Sequence, residues 1–187
     1  MAFNTHKFRA ELAKSKFAQP NHFEIQFVGE PPKLPFQKKE LDVFYGMKMK
    51  AFSTQLPGMV IDTIERRYHG PSRLIPTGFA FQQLPLMIYE TSDHVVRGLF
   101  DTWMYGIAEN RDWFVRYYDD IIVREMRLSL YEKSPSQDSA GEALPIKTYI
   151  FEEVYPINVS AVQLDWSANN TMMGVNVDLQ YHRWSIL

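Results

Sequence analysis

The feature that most constrains the fold is a strict alternation of apolar and polar residues close to the C-terminus. The apolar positions of this stretch are Met173, Val175, Val177, Leu179 and Tyr181. The positions between them carry Gly174, Asn176, Asp178, Gln180 and His182. Successive side chains of a β-strand point to opposite faces, so the pattern predicts a strand that is buried on one side only. Its other face holds amides, an acid and a histidine rather than a recognisable catalytic group.

The same two-residue rhythm recurs along most of the chain. Strands are predicted over residues 22–28, 43–55, 59–68, 73–90, 120–132 and 145–156. The last of these is apolar on both faces, so it needs cover on both sides, from its own chain or from a neighbour. Proline donates no ladder hydrogen bond, so Pro76 and Pro85 predict that segment 73–90 lies at a sheet edge or at bulges.

Two stretches between the strands are predicted to be loops. Residues 29–42 are rich in proline and charge, and residues 133–144 are polar with small side chains. A tight turn is predicted at Leu56, Pro57 and Gly58, because proline fixes φ and glycine accepts the positive φ that a type II turn requires.

One segment departs from the strand rhythm and predicts an α-helix over residues 92–107. Its apolar residues recur at spacings of three and four, which is typical of one helix face; they are Val96, Leu99, Phe100, Trp103 and Ile107. Ser92 or Asp93 is expected to cap the start of the helix, and Gly106 is expected to stop it.

These patterns predict a mainly β protein, built as an antiparallel β-sandwich or barrel-like domain with one flanking α-helix. Residues 1–19 are charged throughout and lack an apolar core, so we interpret them as an N-terminal arm rather than a signal peptide. The domain itself is expected to span residues 20–187.

The composition shows few signs of a catalytic, metal-binding or nucleic-acid-binding site. The net charge of −2 does not suit a nucleic-acid clamp, and the absence of cysteine excludes a thiolate site or a disulfide scaffold. The histidines stand singly, and the acidic pairs Asp119–Asp120 and Glu152–Glu153 point to opposite faces of their segments. We therefore expect no enzyme activity, no cofactor and no metal. No apolar run is long enough to insert in a membrane.

Several stretches resemble the tail tube protein family of contractile-tailed, T-even-type bacteriophages. They are FAQPNHFEIQF at residues 17–27 and YPINVSAVQLDWSANNTMMGVNVDLQYHRW at residues 155–184. The Leu-Pro turn at 56–58 and the strand, strand and helix pattern of residues 73–104 are similar to the middle of the family. Residues 29–42 and 133–144 look longer than the family pattern.

The resemblance implies a tail tube fold and a structural role in the virion, with subunits forming hexameric rings that stack into a hollow tube. Viral DNA would pass through the bore without sequence-specific binding. The implied partners are further copies of the chain, the tail sheath protein, and the baseplate and tail terminator proteins. The implied location is the virion tail, assembled in the host cytoplasm.

Two sets of residues are singled out within this interpretation. Asn176, Asp178 and Gln180 are candidates for the lumen, because a wall without cations does not bind phosphates. Trp166 is interpreted as a core or interface anchor, and Asp165 as the cap of the turn that follows it. Together with Leu56, Pro57 and Gly58, these two residues form the candidate subunit-interface and turn set.

Three alternatives stay open at this point. The chain could be a baseplate or tube-end ring protein that initiates or terminates the tube. It could be a tube protein of the type VI secretion kind. A small β-sandwich binding module or effector carrier is the alternative from a different class, and it would show a ligand pocket that the sequence does not display.

Overall fold

The computed structural model describes residues 21–46, 51–108, 114–132, 143–165, 167 and 172–187. The elements are, in chain order, β1 (Phe23–Val28), α1 (Lys38–Tyr45), β2 (Ala51–Thr54), β3 (Met59–Arg66), β4 (Arg73–Phe81), β5 (Leu84–Tyr89), α2 (Val95–Ile107), α3 (Tyr118–Ile121), β6 (Val123–Leu130), β7 (Lys147–Val159), β8 (Gly174–Gln180) and β9 (Arg183–Ile186). Within this described part, no helix is long and apolar enough to cross a bilayer.

Seven strands form one antiparallel sheet, and two form a separate hairpin. The order across the sheet is β1-β6-β7-β8-β5-β2, with β9 as a further partner of β7. Strands β3 and β4 pair only with each other. The mainly β, antiparallel fold class expected from the alternating sequence is thereby confirmed.

The long strand β7 divides the sheet into two halves. Its first part pairs with β6 and β9, whereas its second part pairs with β8. Close to this change of partners lies Glu153, one residue before Val154, the last residue to pair with β6; its φ of +56° falls in the left-handed region. Few residues other than glycine adopt this conformation, and asparagine is among those that tolerate it best. A local backbone bend at Glu153 thus accompanies the change of partners.

This bend leads to a first testable prediction. Glu153→Val is expected to lower the free energy of unfolding by about 1–3 kcal/mol, because a β-branched residue is strained at positive φ. Glu153→Asn is the matched control and should be less destabilised than the valine variant. Both variants lose the glutamate carboxylate, so the difference between their urea midpoints isolates the backbone term. Equal midpoints would contradict the bend.

A single core lies between the two halves of the sheet and the helices. Its fully buried side chains come from β1, β5, β6, β7, β8, α1 and α2. The register places Val175, Val177 and Leu179 of β8 opposite Ile88, Leu86 and Leu84 of β5, and all six are buried. The alternation near the C-terminus therefore corresponds to one strand face turned into the core.

Helix α2 packs its apolar face into this core. Val96, Leu99, Phe100 and Trp103 have no solvent exposure, as the spacing of three and four predicted. Neither Ser92 nor Asp93 caps the start of the helix, so that prediction was wrong. The carboxylate of Glu90 accepts hydrogen bonds from the backbone N–H groups of Val96 and Arg97, at 3.1 and 2.8 Å. A carboxylate at this end also complements the positive end of the helix dipole.

Helix α1 corrects the prediction of a loop over 29–42 and of a strand beginning at 43. All the prolines of this stretch precede the helix, where they do not interrupt its hydrogen bonds. The buried Glu40 accepts from the backbone N–H of Gln37 at 2.7 Å and from the Thr102 hydroxyl at 3.0 Å. Both carboxylate oxygens are thus paired, and they join the start of α1 to α2.

The proline prediction for segment 73–90 was half right. Pro76 lies in β4, beside the bulge of the isolated hairpin. Pro85 lies in β5, which is an inner strand between β8 and β2. Strand β2 pairs with β5 only from Leu86 onward, so the missing N–H of Pro85 falls near the beginning of the strand, where proline is tolerated.

Candidate functional site

The outward side of the second sheet half carries no cation among the residues that the structure describes. We call it the cation-free face and define it as the outward-facing residues of β2, β5, β8 and residues 155–159 of β7. Among the described residues of these segments, none is lysine or arginine, and Asp178 is the acid. The register sets Asn176 opposite Met87 and Asp178 opposite Pro85 on this side. The face is therefore neutral to weakly negative.

The three residues predicted for the lumen share this face. Asn176 is exposed, whereas Asp178 and Gln180 are half-buried. The carboxylate of Asp178 accepts a hydrogen bond from the Asn158 amide at 2.8 Å. An open groove of about 330 Å³ runs beside Asn176 and Asp178, and its wall includes Thr54, Met87 and Ser160.

One end of the cation-free face is aromatic. The rings of Phe52 and Tyr89 stack with their centroids 4.1 Å apart. Gly174 lies under this pair, and a Cβ atom there would lie 3.3 Å from the Phe52 ring. The glycine of the alternating pattern therefore makes room for a neighbouring ring.

The outward side of the first sheet half differs in its charge. Arg183 donates to Glu152 at 2.7 Å, and Arg127 pairs with Glu125. The hydrogen bond from Arg183 to Glu152 raises the pKa of the guanidinium. Two cations on this side, Arg127 and Arg183, are thus paired with acids, whereas the described residues of the cation-free face include no cation.

The hairpin formed by β3 and β4, residues 59–81, projects from the domain. Every residue from 59 to 80 is exposed. At its root, the ring of Phe81 contacts Tyr181 and Trp184, with centroids 5.9 and 6.4 Å apart. At its tip, Gly70 has a φ of +87°, in the left-handed region that glycine adopts readily.

The chain enters the hairpin through Leu56, Pro57 and Gly58. Leu56 is exposed. Gly58 does not have the positive φ that the type II turn prediction required, so that prediction was wrong. The carbonyl of Gly58 accepts from the backbone N–H of Gln82, and a Cβ atom on Gly58 would clash with the Gln82 side chain. The Gln82 side chain thus packs over Gly58 at the base of the hairpin.

Asp165 was predicted to cap a turn at residues 167–170, and of these residues the structure describes Asp165 and Ser167. The Asp165 carboxylate accepts from both the backbone N–H and the hydroxyl of Ser167, each at 2.8 Å. These hydrogen bonds lower the pKa of Asp165. Trp166 lies outside the described residues, so its role as an anchor stays a prediction.

An exposed aromatic segment at residues 114–118 was not predicted from the sequence. Phe114, Val115 and Tyr117 are 75%, 68% and 85% exposed. A bridge between Ala108 and Val115 holds the segment against the end of α2. The signal was present in the sequence as a run of apolar and aromatic residues without strand or helix periodicity.

Tyr118 closes this segment and donates a hydrogen bond to the Glu153 carboxylate at 3.1 Å. Partial burial, together with this carboxylate, raises the pKa of Tyr118 to about 12. Both effects disfavour the phenolate, because burial removes its solvation and the carboxylate repels its charge.

The shift predicts how stability depends on pH in alkali. The pKa of Tyr118 is higher in the folded chain than in the unfolded chain. The contribution of Tyr118 to the free energy of unfolding is therefore complete below pH 10 and is lost as the pH rises through about 12. Tyr118→Phe should remove this part of the alkaline loss in urea unfolding measured across that range. The control Tyr117→Phe, at an exposed position, should keep the wild-type profile. Identical profiles for all three proteins would contradict the assignment.

No metal or catalytic centre is evident in the described residues. Within that part of the chain, no three histidine or acidic side chains lie close enough together to hold a metal ion. The features that remain are surfaces: a sheet face without cations, a projecting hairpin and an exposed aromatic segment.

The sequence of the chain matches that of a known protein family. Residues 18–187 match the sequence profile of the family described as phage tail tube protein. The chain belongs to the phage tail tube protein family. No curated protein sequence matches it.

Solved structures support the same fold for this tail tube protein. A chain from the anti-feeding prophage baseplate is similar with a TM-score of 0.62 and 13% identity, covering 92% of this chain and 97% of that one. A chain from the sheath/tube terminator of the extracellular contractile injection system PVC gives 0.61 and 15%, covering 92% and 98%. A chain from the PVC sheath-tube complex gives 0.55 and 16%, covering 100% and 99%. At these identities the likeness shows the fold alone.

Proposed function

We propose that this tail tube protein forms six-membered rings that stack into the hollow tube of a phage tail, and that the cation-free face lines the bore. The observation that carries the proposal is the absence of lysine and arginine from the described strands of that face. Each cation on a channel wall would release counterions from passing DNA and bind a phosphate. A wall of amides, with Asp178 as its acid, lets a polyanion slide past.

The role is structural, and the partners follow from it. Copies of the chain associate with one another, the tail sheath surrounds the tube, and baseplate and terminator proteins bind its two ends. Viral DNA is a passing cargo that is not bound by its sequence. Residues 1–19 serve as an arm attached to the domain of residues 20–187. The tube is assembled in the host cytoplasm and carried in the virion tail.

Electron microscopy of the purified protein at high concentration tests this proposal directly. We expect rings with a central hole, six-fold averages and stacks of rings. A reconstruction should place Asn176 and Asp178 on the inner wall. A protein that stays monomeric at high concentration contradicts the assembly, and a bore lined by the other half of the sheet contradicts the assignment of the face.

A tube-end ring is the second candidate. The two structures with the higher TM-scores come from baseplate and terminator assemblies. A tube-end protein would form single rings that do not stack, and it would occur as one or a few rings in each virion. Counting copies per virion by quantitative mass spectrometry separates the two roles, because a tube subunit occurs in many rings.

A further inference from the structure

A groove at the root of the hairpin is lined mainly by aromatic residues, and we call it the aromatic groove. It has a volume of about 270 Å³, and its lining residues are Phe81, Tyr118, Tyr155, Gln180, Tyr181 and His182. The rings form two pairs, Phe81 with Tyr181 and Tyr118 with Tyr155, whose centroids lie 5.9 and 6.0 Å apart. Pockets for drug-sized ligands begin at roughly 300 Å³, so this groove fits a smaller molecule.

The hydroxyl of Tyr181, in the wall of this groove, has no hydrogen-bond partner among the described residues. Tyr181 is 3% exposed, and its hydroxyl oxygen is buried. A buried hydroxyl without a partner costs free energy, because it gives up its hydrogen bonds to water. Burial also raises the pKa of Tyr181, so the hydroxyl stays neutral and can both donate and accept. A polar group that enters the groove beside Tyr181 would supply the missing partner.

The charges around the aromatic groove favour a cation over an anion. None of the six lining residues is lysine or arginine, and Arg183, which follows them in the chain, is paired with an acid. Besides burial, the negative charges of Glu153 and Asp119 raise the pKa of Tyr118, so both carboxylates act on charges at the groove wall. Aromatic rings also attract cations through the negative potential of their faces.

We propose that the aromatic groove binds a small organic ammonium ion of the alkylamine or polyamine class. The ammonium group donates hydrogen bonds to the hydroxyl oxygen of Tyr181 and the amide oxygen of Gln180, and the Glu153 carboxylate balances its charge. The alkyl chain lies against the aromatic rings of the wall. This site goes beyond the proposed function, and it does not depend on the assembly of rings.

Thermal unfolding of the full chain in the presence of putrescine tests the proposal, at a dilution where the protein is monomeric. Putrescine should raise the Tm progressively with its concentration, because a ligand that binds only the folded state stabilises that state. Butanediol with terminal hydroxyls has the same carbon chain without the ammonium groups, and it should not raise the Tm. Sodium chloride at matched ionic strength should not reproduce the shift. An unchanged Tm with putrescine, or an equal rise with the diol or the salt, would overturn the proposal.

Tyr181→Phe removes only the buried hydroxyl. Without ligand, the variant should be as stable as the wild type or more stable, because the unpartnered polar group is gone. Its Kd for putrescine, measured by isothermal titration calorimetry, should be roughly tenfold higher, because a hydrogen bond to a charged group is lost. A hydroxyl that serves only the fold would give the opposite pattern, a loss of stability with an unchanged Kd, and that result would contradict the site.

Glu153→Gln tests the charge, because it removes the carboxylate and keeps an oxygen that can accept from Tyr118. This variant should also bind putrescine roughly tenfold more weakly. Glu65→Gln, at an exposed position of the hairpin, removes the same charge elsewhere and should keep the wild-type Kd. Equal weakening in both variants would mean a general attraction to a negatively charged chain, and the groove would then not be the binding site.

Discussion

Trp103→Ala is expected to lower the free energy of unfolding by about 3–5 kcal/mol, the usual cost of deleting a fully buried large aromatic side chain. Trp103 has no solvent exposure and lies among the rings of Phe27, Phe44 and Phe100, with centroids 6.1, 6.4 and 6.2 Å away. Its indole N–H also donates to the carbonyl of Ile121 at 2.7 Å. The substitution therefore creates a cavity and leaves a buried acceptor without its donor.

The measurement is urea unfolding followed by circular dichroism, at a concentration where the protein is monomeric, because assembly would add stability of its own. Tyr105→Ala is the matched control on the same helix, since Tyr105 is 63% exposed. It should change the free energy of unfolding by no more than about 0.5 kcal/mol. A loss below about 1 kcal/mol for Trp103→Ala would mean that this residue is not the centre of the core.

Asp178→Lys is expected to leave the tubes intact and to reduce infectivity strongly by slowing DNA ejection. Each copy gains two positive charges, so a ring of six gains about twelve, and stacked rings repeat this along the bore. Half-buried Asp178 makes one described side-chain hydrogen bond, to Asn158 at the surface, so the fold should tolerate the change. The readouts are tube formation by electron microscopy, plaque titre and the rate of DNA release from purified virions.

Two further variants separate charge from other effects. Asp178→Asn removes the carboxylate without adding a cation and keeps an oxygen that can accept from Asn158, so its titre should stay near that of the wild type. Asn176→Lys adds a cation at an exposed neighbouring position and should repeat the defect. Normal infectivity in both lysine variants would contradict the proposal that the cation-free face lines the bore.

Local periodicity was sufficient to predict much of the domain. The alternation in β8 and the spacing of three and four in α2 each reflect one buried face, so the pattern alone is sufficient to predict the element and its buried side. Helix α1 was missed because the prolines before it and the charges within it suggest a loop when read alone. Only the burial of Val43 and Phe44, with Phe44 stacked on Phe27 at 5.0 Å, gives the helix a face to pack.

For the candidate surfaces too, the sequence predicts what depends on local spacing and not what depends on packing. That Asn176, Asp178 and Gln180 share a face follows from their spacing in one strand. That β2, β5 and the end of β7 extend this face without a cation depends on which strands become neighbours. The candidate interface roles of Leu56 and Trp166 depend on contacts between copies and stay predictions, whereas the hydrogen bonds of Asp165 to Ser167 are local to its turn.

The sequence by itself determined the fold class, the main buried faces and, through the motifs at both ends, the family. These depend on residues close together in the chain, whose side-chain directions are set by local backbone geometry. The tertiary structure alone decided the bend at Glu153, the capping of α2 by Glu90, and the contact of Phe81 with Tyr181. These features join residues far apart in the chain, so they follow from the packing of the whole domain and not from any local pattern.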